Sequence, residues 1–86
     1  MNKAGRFIVK FNELDNCCRK LCAHFGRSTN AIKQFAERLT PDEREQLDEI
    51  QHLYNMICHV NDKLDPSDVV MQKLEKLVEL AKSQIV

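Results

Sequence analysis

The residues best suited to chemistry are Asn55 and His59, which follow Tyr54 in the run Tyr-Asn-Met-Ile-Cys-His. On a helix, residues four apart share one face, with their Cβ atoms about 5–6 Å from each other. A histidine changes its protonation near neutral pH and can therefore accept a proton. Asn55 and His59 are the candidate catalytic residues. Tyr54 can donate a hydrogen bond to phosphate or stack on a base.

The spacing resembles the Arg-Asn-x-x-x-His signature of HEPN domains, small all-helical modules many of which are metal-independent RNases. The resemblance implies that His59 would help to activate a ribose 2′-hydroxyl and that Asn55 would support the geometry. Tyr54 stands where the family has an Arg that stabilises charge on the phosphate. Losing such a preorganised donor typically costs about 2.7–4 kcal/mol of barrier. The resemblance therefore implies a degenerate domain whose dimer would place Tyr54, Asn55 and His59 in a shared cleft.

A resemblance in helix order extends over about residues 7–84, because the motif helix is followed by an Asp-Pro turn and a last amphipathic helix. The specific match is confined to residues 53–59. The alternative interpretation of the same residues is structural. In that case Tyr54 is partly buried and His59 is a polar residue near a helix end.

A second candidate group, which contains cationic residues, lies in the run Arg19-Lys20-Leu21-Cys22-Ala23-His24. Arg19 and His24 repeat an Arg-to-His spacing, but they lie on a different helix from the motif, and His24 is more simply a helix-terminal residue. Arg19 and Lys20 are instead candidates for binding RNA. One of them, contributed by a partner chain, could also replace the missing Arg of the motif.

Charge is unevenly distributed although the formal net charge of the chain is zero. Residues 1–33 contain seven Lys or Arg and two acidic residues, a net charge of +5, whereas residues 34–60 have a net charge of −4. The basic part could face phosphate, or it could pair with the acidic part of a second copy. Ordinary solvated helix faces explain the same distribution.

The four cysteines predict no metal centre. A zinc site would have to combine scattered residues without a Cys-x-x-Cys pair, namely Cys18, Cys22 and His24 with Cys58 or His59. Cys18 and Cys22 fall on an apolar stripe, where a free cysteine packs as a small hydrophobe. Cys17 faces another direction, which predicts an exposed thiol. We expect no metal and no cofactor.

Apolar spacing and capping signals predict an all-α, compact four-helix arrangement in a single domain covering residues 1–86. The long helices should span about residues 5–25, 41–63 and 66–83, and a short helix about residues 30–39. Thr40 and Glu43 form a capping box around Pro41, and Asp65-Pro66 offers a similar start for the last helix. The core should contain residues of each helix: Phe7, Ile8, Phe11, Leu14, Cys18, Leu21, Cys22, Phe25, Ala31, Ile32, Phe35, Ala36, Leu47, Ile50, Leu53, Tyr54, Ile57, Val70, Leu74, Leu77, Val78 and Ala81.

The composition predicts a soluble, cytoplasmic protein, because there is neither a long apolar run nor a secretory signal pattern. Three functions stay open. The first is a degenerate HEPN-like domain that forms homodimers and binds RNA or a protein. The second is an adaptor, inhibitor or immunity-type helical protein without a nucleic-acid role. The third is an active metal-independent endoribonuclease.

Overall fold

The computed structural model describes residues 2–24, 31–59 and 65–84. Four α-helices make up these ranges: α1 (Lys3–His24), α2 (Ala31–Ala36), α3 (Pro41–His59) and α4 (Asp68–Gln84). No strand is present in the described ranges, so the predicted all-α four-helix fold is confirmed. The predicted extension of the third helix to residue 63, and the predicted core residue Phe25, lie outside the described residues.

Helix α1 is the central element, because it contacts each of the other three helices. Asn2 caps its start, since the Asn2 Oδ1 accepts the Gly5 amide at 2.7 Å. The buried side of α1 is wide, and it includes Cys17, which is only 6% exposed. The predicted exposed thiol at Cys17 is therefore wrong. Because α1 has neighbours on several sides, it buries a wider sector of its surface than a single apolar stripe. Cys17 lies within this wider buried sector.

Helix α2 ends at Ala36, three residues before the predicted end at residue 39. The chain continues as a tighter turn, in which the Arg38 amide bonds the Phe35 carbonyl at 3.0 Å and the Leu39 amide bonds the Ala36 carbonyl at 3.1 Å. This turn carries the Leu39 side chain into the core, where it is 4% exposed.

Helix α3 begins with the predicted capping box. The Thr40 amide donates to the Glu43 carboxylate at 2.9 Å, and the Glu43 amide donates to the Thr40 hydroxyl at 3.3 Å. Leu47, Ile50 and Ile57 are buried as predicted. Leu53 and Tyr54 pack against the core while staying partly exposed.

Helix α4 begins at Asp68, two residues after the predicted start at Pro66. Ser67 is its N-cap, because the Ser67 hydroxyl accepts the Val70 amide at 3.2 Å. Pro66 precedes the helix and is itself buried. All five residues predicted to be buried on α4 are buried: Val70, Leu74, Leu77, Val78 and Ala81.

Apolar packing, not surface charge, is the main source of stability in this fold. The described buried side chains are apolar or cysteine, and all of them except Pro66 belong to one cluster shared by the four helices. Interhelical ion pairs join Lys3 to Asp68 and Lys73 to Glu49, both at 3.5 Å, but their side chains remain substantially exposed. Exposed pairs of this kind contribute little.

Candidate functional site

The motif Tyr54–His59 occupies the last turns of α3. Its candidate residues are divided between two environments, since Tyr54 is half-buried whereas Asn55 and His59 are exposed. Asn55 and His59 are four apart on a continuous helix, so they share the outward face as expected. Tyr54 points inward, toward α1.

Tyr54 stacks on Phe11 of α1. The two ring centroids are 4.1 Å apart and the ring planes are inclined by 16°. Phe11 also contacts Phe7, with centroids 6.5 Å apart, so Tyr54 extends a small aromatic cluster from the core. The position that the resemblance assigns to a cationic Arg is thus occupied by a ring that packs α3 against α1.

The Tyr54 hydroxyl is engaged within its own helix. A side-chain hydrogen bond with Cys58 raises the pKa of Tyr54, and partial burial and the nearby Asp15 carboxylate act in the same direction. Tyr54 therefore remains neutral at physiological pH. It supplies no positive charge, and its hydroxyl already has a partner.

Asp15 connects Arg19 with the surroundings of Tyr54. The Arg19 Nε donates to the Asp15 carboxylate at 2.8 Å, and that carboxylate also acts on Tyr54. Arg19 is exposed, but the charge of its guanidinium is offset by the acid one turn earlier. Lys20 is exposed at the following position of α1 and takes no part in these contacts.

Sequence reasoning missed the three side chains that surround Tyr54. In the sequence, Phe11 is a predicted core residue, Cys58 is one of the residues considered for a zinc site, and Asp15 is one of the two acidic residues in residues 1–33. The Cys58 contact has a sequence signal, because residues 54 and 58 are one turn apart on the same helix. The Phe11 contact joins different helices, and neither apolar stripe identifies its partner.

The structure does not assemble the zinc ligands considered above. Cys18 is buried in the core, while Cys58 and His59 are exposed on α3. The side chains of Cys22 and His24 lie outside the described residues. Within the described residues, no group of three or more His, Cys, Asp or Glu side chains could hold a metal ion. In the same ranges, no helix has both the length and the apolar character needed to cross a bilayer.

Comparison with known proteins gives no match to a family model, a curated protein or a solved structure. The HEPN resemblance therefore depends on the motif residues and on the helix order.

The exposed part of the motif provides side chains that can form hydrogen bonds. His59 can exchange a proton and Asn55 can both donate and accept hydrogen bonds. Phosphate cleavage also requires a positive group placed where charge develops on the phosphorus. Tyr54 does not provide that group, and the exposed Arg19 guanidinium pairs with Asp15 on α1.

Proposed function

We propose that this protein is a catalytically degenerate HEPN-like module that acts by binding, and that it self-associates through the outward face of α3. The observation that carries the proposal is the stack of Tyr54 on Phe11 at 4.1 Å. Tyr54 is a neutral phenol packed against Phe11, so it does not present a cation to a scissile phosphate. Asn55 and His59 remain on the surface and are available to another molecule.

The outward face of α3 is complementary to itself. Five exposed residues follow one line along the helix: Glu45, Asp48, His52, Asn55 and His59. Their spacings of three and four residues keep them within one sector of the helix surface. The line is acidic toward the amino end of α3 and carries histidines toward the carboxyl end.

An antiparallel pair of α3 helices would therefore oppose unlike groups. If His52 lies near the twofold axis, Glu45 of one copy faces His59 of the other, and Asp48 faces Asn55. Each contact occurs twice in a symmetric dimer. A chain of 86 residues buries a limited fraction of its surface, so association adds a useful amount of buried area.

A charge-swap experiment tests this proposal. Sedimentation equilibrium over a range of concentrations should show a dimer for the unmodified protein. His59→Glu should weaken the dimer, because it places two acids opposite each other. Combining it with Glu45→His should restore association, because unlike groups then face each other again.

The control is Asn12→Ala, which changes an exposed residue of α1 and should leave the dimer unchanged. A protein that stays monomeric at all concentrations contradicts the proposal. A dimer that is insensitive to His59→Glu also contradicts it, since another surface would then mediate association.

RNA association is the second candidate function, favoured by the exposed Arg19 and Lys20. Electrophoretic mobility of a single-stranded oligoribonucleotide tests it at low and moderate salt. A shift that weakens with salt and with the Arg19→Ala, Lys20→Ala double substitution would support binding to the phosphate backbone. If the oligoribonucleotide shows no mobility shift at low salt, the proposed RNA binding is contradicted.

A further inference from the structure

A shallow groove runs between α1 and α4. It consists of two adjoining depressions of about 290 and 330 Å³, which share Arg6, Met71 and Glu75. Val9 also lines the first depression and is 55% exposed, and Met71 beside it is only partly buried. The groove therefore leaves apolar side chains of both helices in contact with water.

The charges that line the groove are balanced in number but separated between its walls. Three basic and three acidic residues take part: Lys3, Arg6, Lys10, Glu13, Asp68 and Glu75. Apart from Glu13, the charged residues of the α1 wall are basic, whereas both charged residues of the α4 wall are acidic. Because the signs balance, a partner with charge of a single sign is not favoured. The groove fits a partner that itself has a basic side and an acidic side.

Arg6 and Glu75 are the charged groups of the groove that are available to such a partner. The other four already belong to ion pairs within the chain. Among the described residues, no ion pair involves Arg6 or Glu75, although both side chains line both depressions. Both residues are exposed. One basic and one acidic group therefore remain on opposite walls.

The direction of the two helices determines how a partner can match these walls. Lys3 pairs with Asp68 near the start of both helices, at 3.5 Å, and Glu13 pairs with Lys82 further along, at 2.5 Å. Helices α1 and α4 thus run in the same direction, with opposite charges across the groove at both levels. A molecule that presents the same two helices in exchanged positions would match the groove along this length.

A second copy of this chain presents those helices. A twofold axis lying along the groove places α1 of each copy over α4 of the other, with the helices parallel. Arg6 then faces Glu75 of the other copy, and the same contact occurs a second time by symmetry. Val9 and Met71 of the two copies meet between these charges, so that the apolar side chains are covered.

The opposite arrangement, in which α1 packs on α1 of another copy, does not match. It sets the basic residues of one α1 wall, Lys3, Arg6 and Lys10, against the same residues of the other copy. Like charges placed opposite each other destabilise a contact. The charge pattern therefore selects the exchanged packing of α1 on α4.

We propose that the α1–α4 groove is a second self-association surface, in which α1 of one copy packs on α4 of another and Arg6 pairs with Glu75. The inference goes beyond self-association through α3 and does not rest on it. Two such contacts on one chain would join dimers into a tetramer or an open chain. Exposed ion pairs contribute little, so we expect the groove contact to form at high protein concentration.

Two single variants test the pairing. Arg6→Glu sets an acid against Glu75 at both ends of the contact, and Glu75→Arg sets two arginines against each other. Each variant alone should therefore lose the contact. In a mixed pair, every acid of one variant faces an arginine of the other. The mixture should bind about tenfold more tightly than either variant binds itself.

Chemical shifts distinguish this contact from the one through α3. Isotope-labelled Arg6→Glu is titrated to millimolar concentration with unlabelled Glu75→Arg and, in parallel, with unlabelled Arg6→Glu. Amide shifts at residues 3–13 and 68–82 should change in the first titration only. Association through α3 would shift residues 45–59 equally in both titrations, so the failure of either contact can be recognised separately.

The control separates local pairing from attraction between net charges. Glu37→Arg makes the same charge change as Glu75→Arg at an exposed position outside the groove. It should bind labelled Arg6→Glu more weakly, because the acid introduced in place of Arg6 still faces Glu75. Adding Val9→Ser to either member of the mixed pair should also weaken binding. These four positions are exposed, so circular dichroism should show an intact fold.

Three results would overturn the proposal. The first is a mixed pair that gives no shifts along the groove at millimolar concentration, which would leave the groove to another occupant. The second is equal binding of Glu75→Arg and Glu37→Arg, because net charge would then explain the attraction. The third is binding of Arg6→Glu to itself as tightly as to Glu75→Arg. None of these results affects the α3 test, since Glu45 and His59 are unchanged in these variants.

Discussion

The inward and outward faces of the last turns of α3 have different roles. On the inward face, Tyr54 stacks on Phe11 and bonds Cys58, and Ile57 is buried. On the outward face, Asn55 and His59 meet the solvent. The residues of one short motif therefore belong partly to the core and partly to the surface. The comparison teaches that residues of one short sequence run can divide between packing and solvent contact, so their spacing alone does not define a site.

Removing the ring beneath Tyr54 should have the largest effect on the inward face. Phe11→Ala should lower the free energy of unfolding by about 3–5 kcal/mol, because Phe11 is 6% exposed and stacks on both Phe7 and Tyr54. Urea denaturation followed by circular dichroism measures the change. A loss below about 1 kcal/mol would show that the cluster is not part of the stabilising core.

Changing Tyr54 itself distinguishes its ring from its hydroxyl. Tyr54→Arg should cost about 2 kcal/mol, because the stack on Phe11 is lost from a half-buried site. Tyr54→Phe keeps the ring and should cost at most about 1 kcal/mol. The same denaturation experiment measures both variants. If Tyr54→Arg is as stable as the unmodified protein, the position is not used for packing.

Alkaline titration examines the environment of Tyr54 directly. Tyr54 is the only tyrosine and the chain has no tryptophan, so the ultraviolet absorbance of phenolate reports this residue alone. Because the pKa of Tyr54 is raised in the folded protein, the midpoint of its ionisation should lie above pH 10.0. In urea, where the chain is unfolded, the midpoint should return to the ordinary value of 10.0.

The same pKa shift determines how stability depends on pH. The raised pKa means that the folded state retains the proton longer than the unfolded state. Stability linked to Tyr54 is therefore complete below pH 10.0 and is lost as the pH rises through the folded-state pKa. Tyr54→Phe should remove this part of the alkaline loss. An identical alkaline profile for Tyr54→Phe would contradict the assigned environment.

Substitutions on the outward face should have the smallest effect on folding. Asn55→Ala and His59→Ala should each change the free energy of unfolding by no more than about 0.5 kcal/mol, because both side chains are exposed. Thermal or urea denaturation at low protein concentration, where dissociation is favoured, measures the change. If either substitution lowers the free energy of unfolding as much as Tyr54→Arg does, the outward face would stabilise the fold as much as the inward face, which contradicts the comparison.

Helix order and most core positions could be predicted because they depend on local patterns. The stripe of α4 identified each of its five predicted core residues, and the spacing of Thr40 and Glu43 identified the start of α3. The predicted start of α4 at Pro66 was two residues early, because Asp65 and Ser67 are both good caps. Ser67 is the residue used in the fold.

Contacts between helices could not be predicted in the same way. Cys17 is buried because α1 has neighbours on several sides, which a single stripe does not reveal. The stack of Tyr54 on Phe11 joins residues far apart in the sequence and depends on how α1 and α3 cross. The sequence identified Asn55 and His59 as one face, but only the packing explains the role of Tyr54.

The most direct test of the central claim is cleavage of a fluorescent single-stranded oligoribonucleotide in excess EDTA, measured for the unmodified protein and for His59→Ala. His59 is exposed, so the substitution should leave the fold intact. If the motif acts by contact and not by catalysis, both proteins should give the same background rate. Cleavage by the unmodified protein that His59→Ala abolishes would contradict the account.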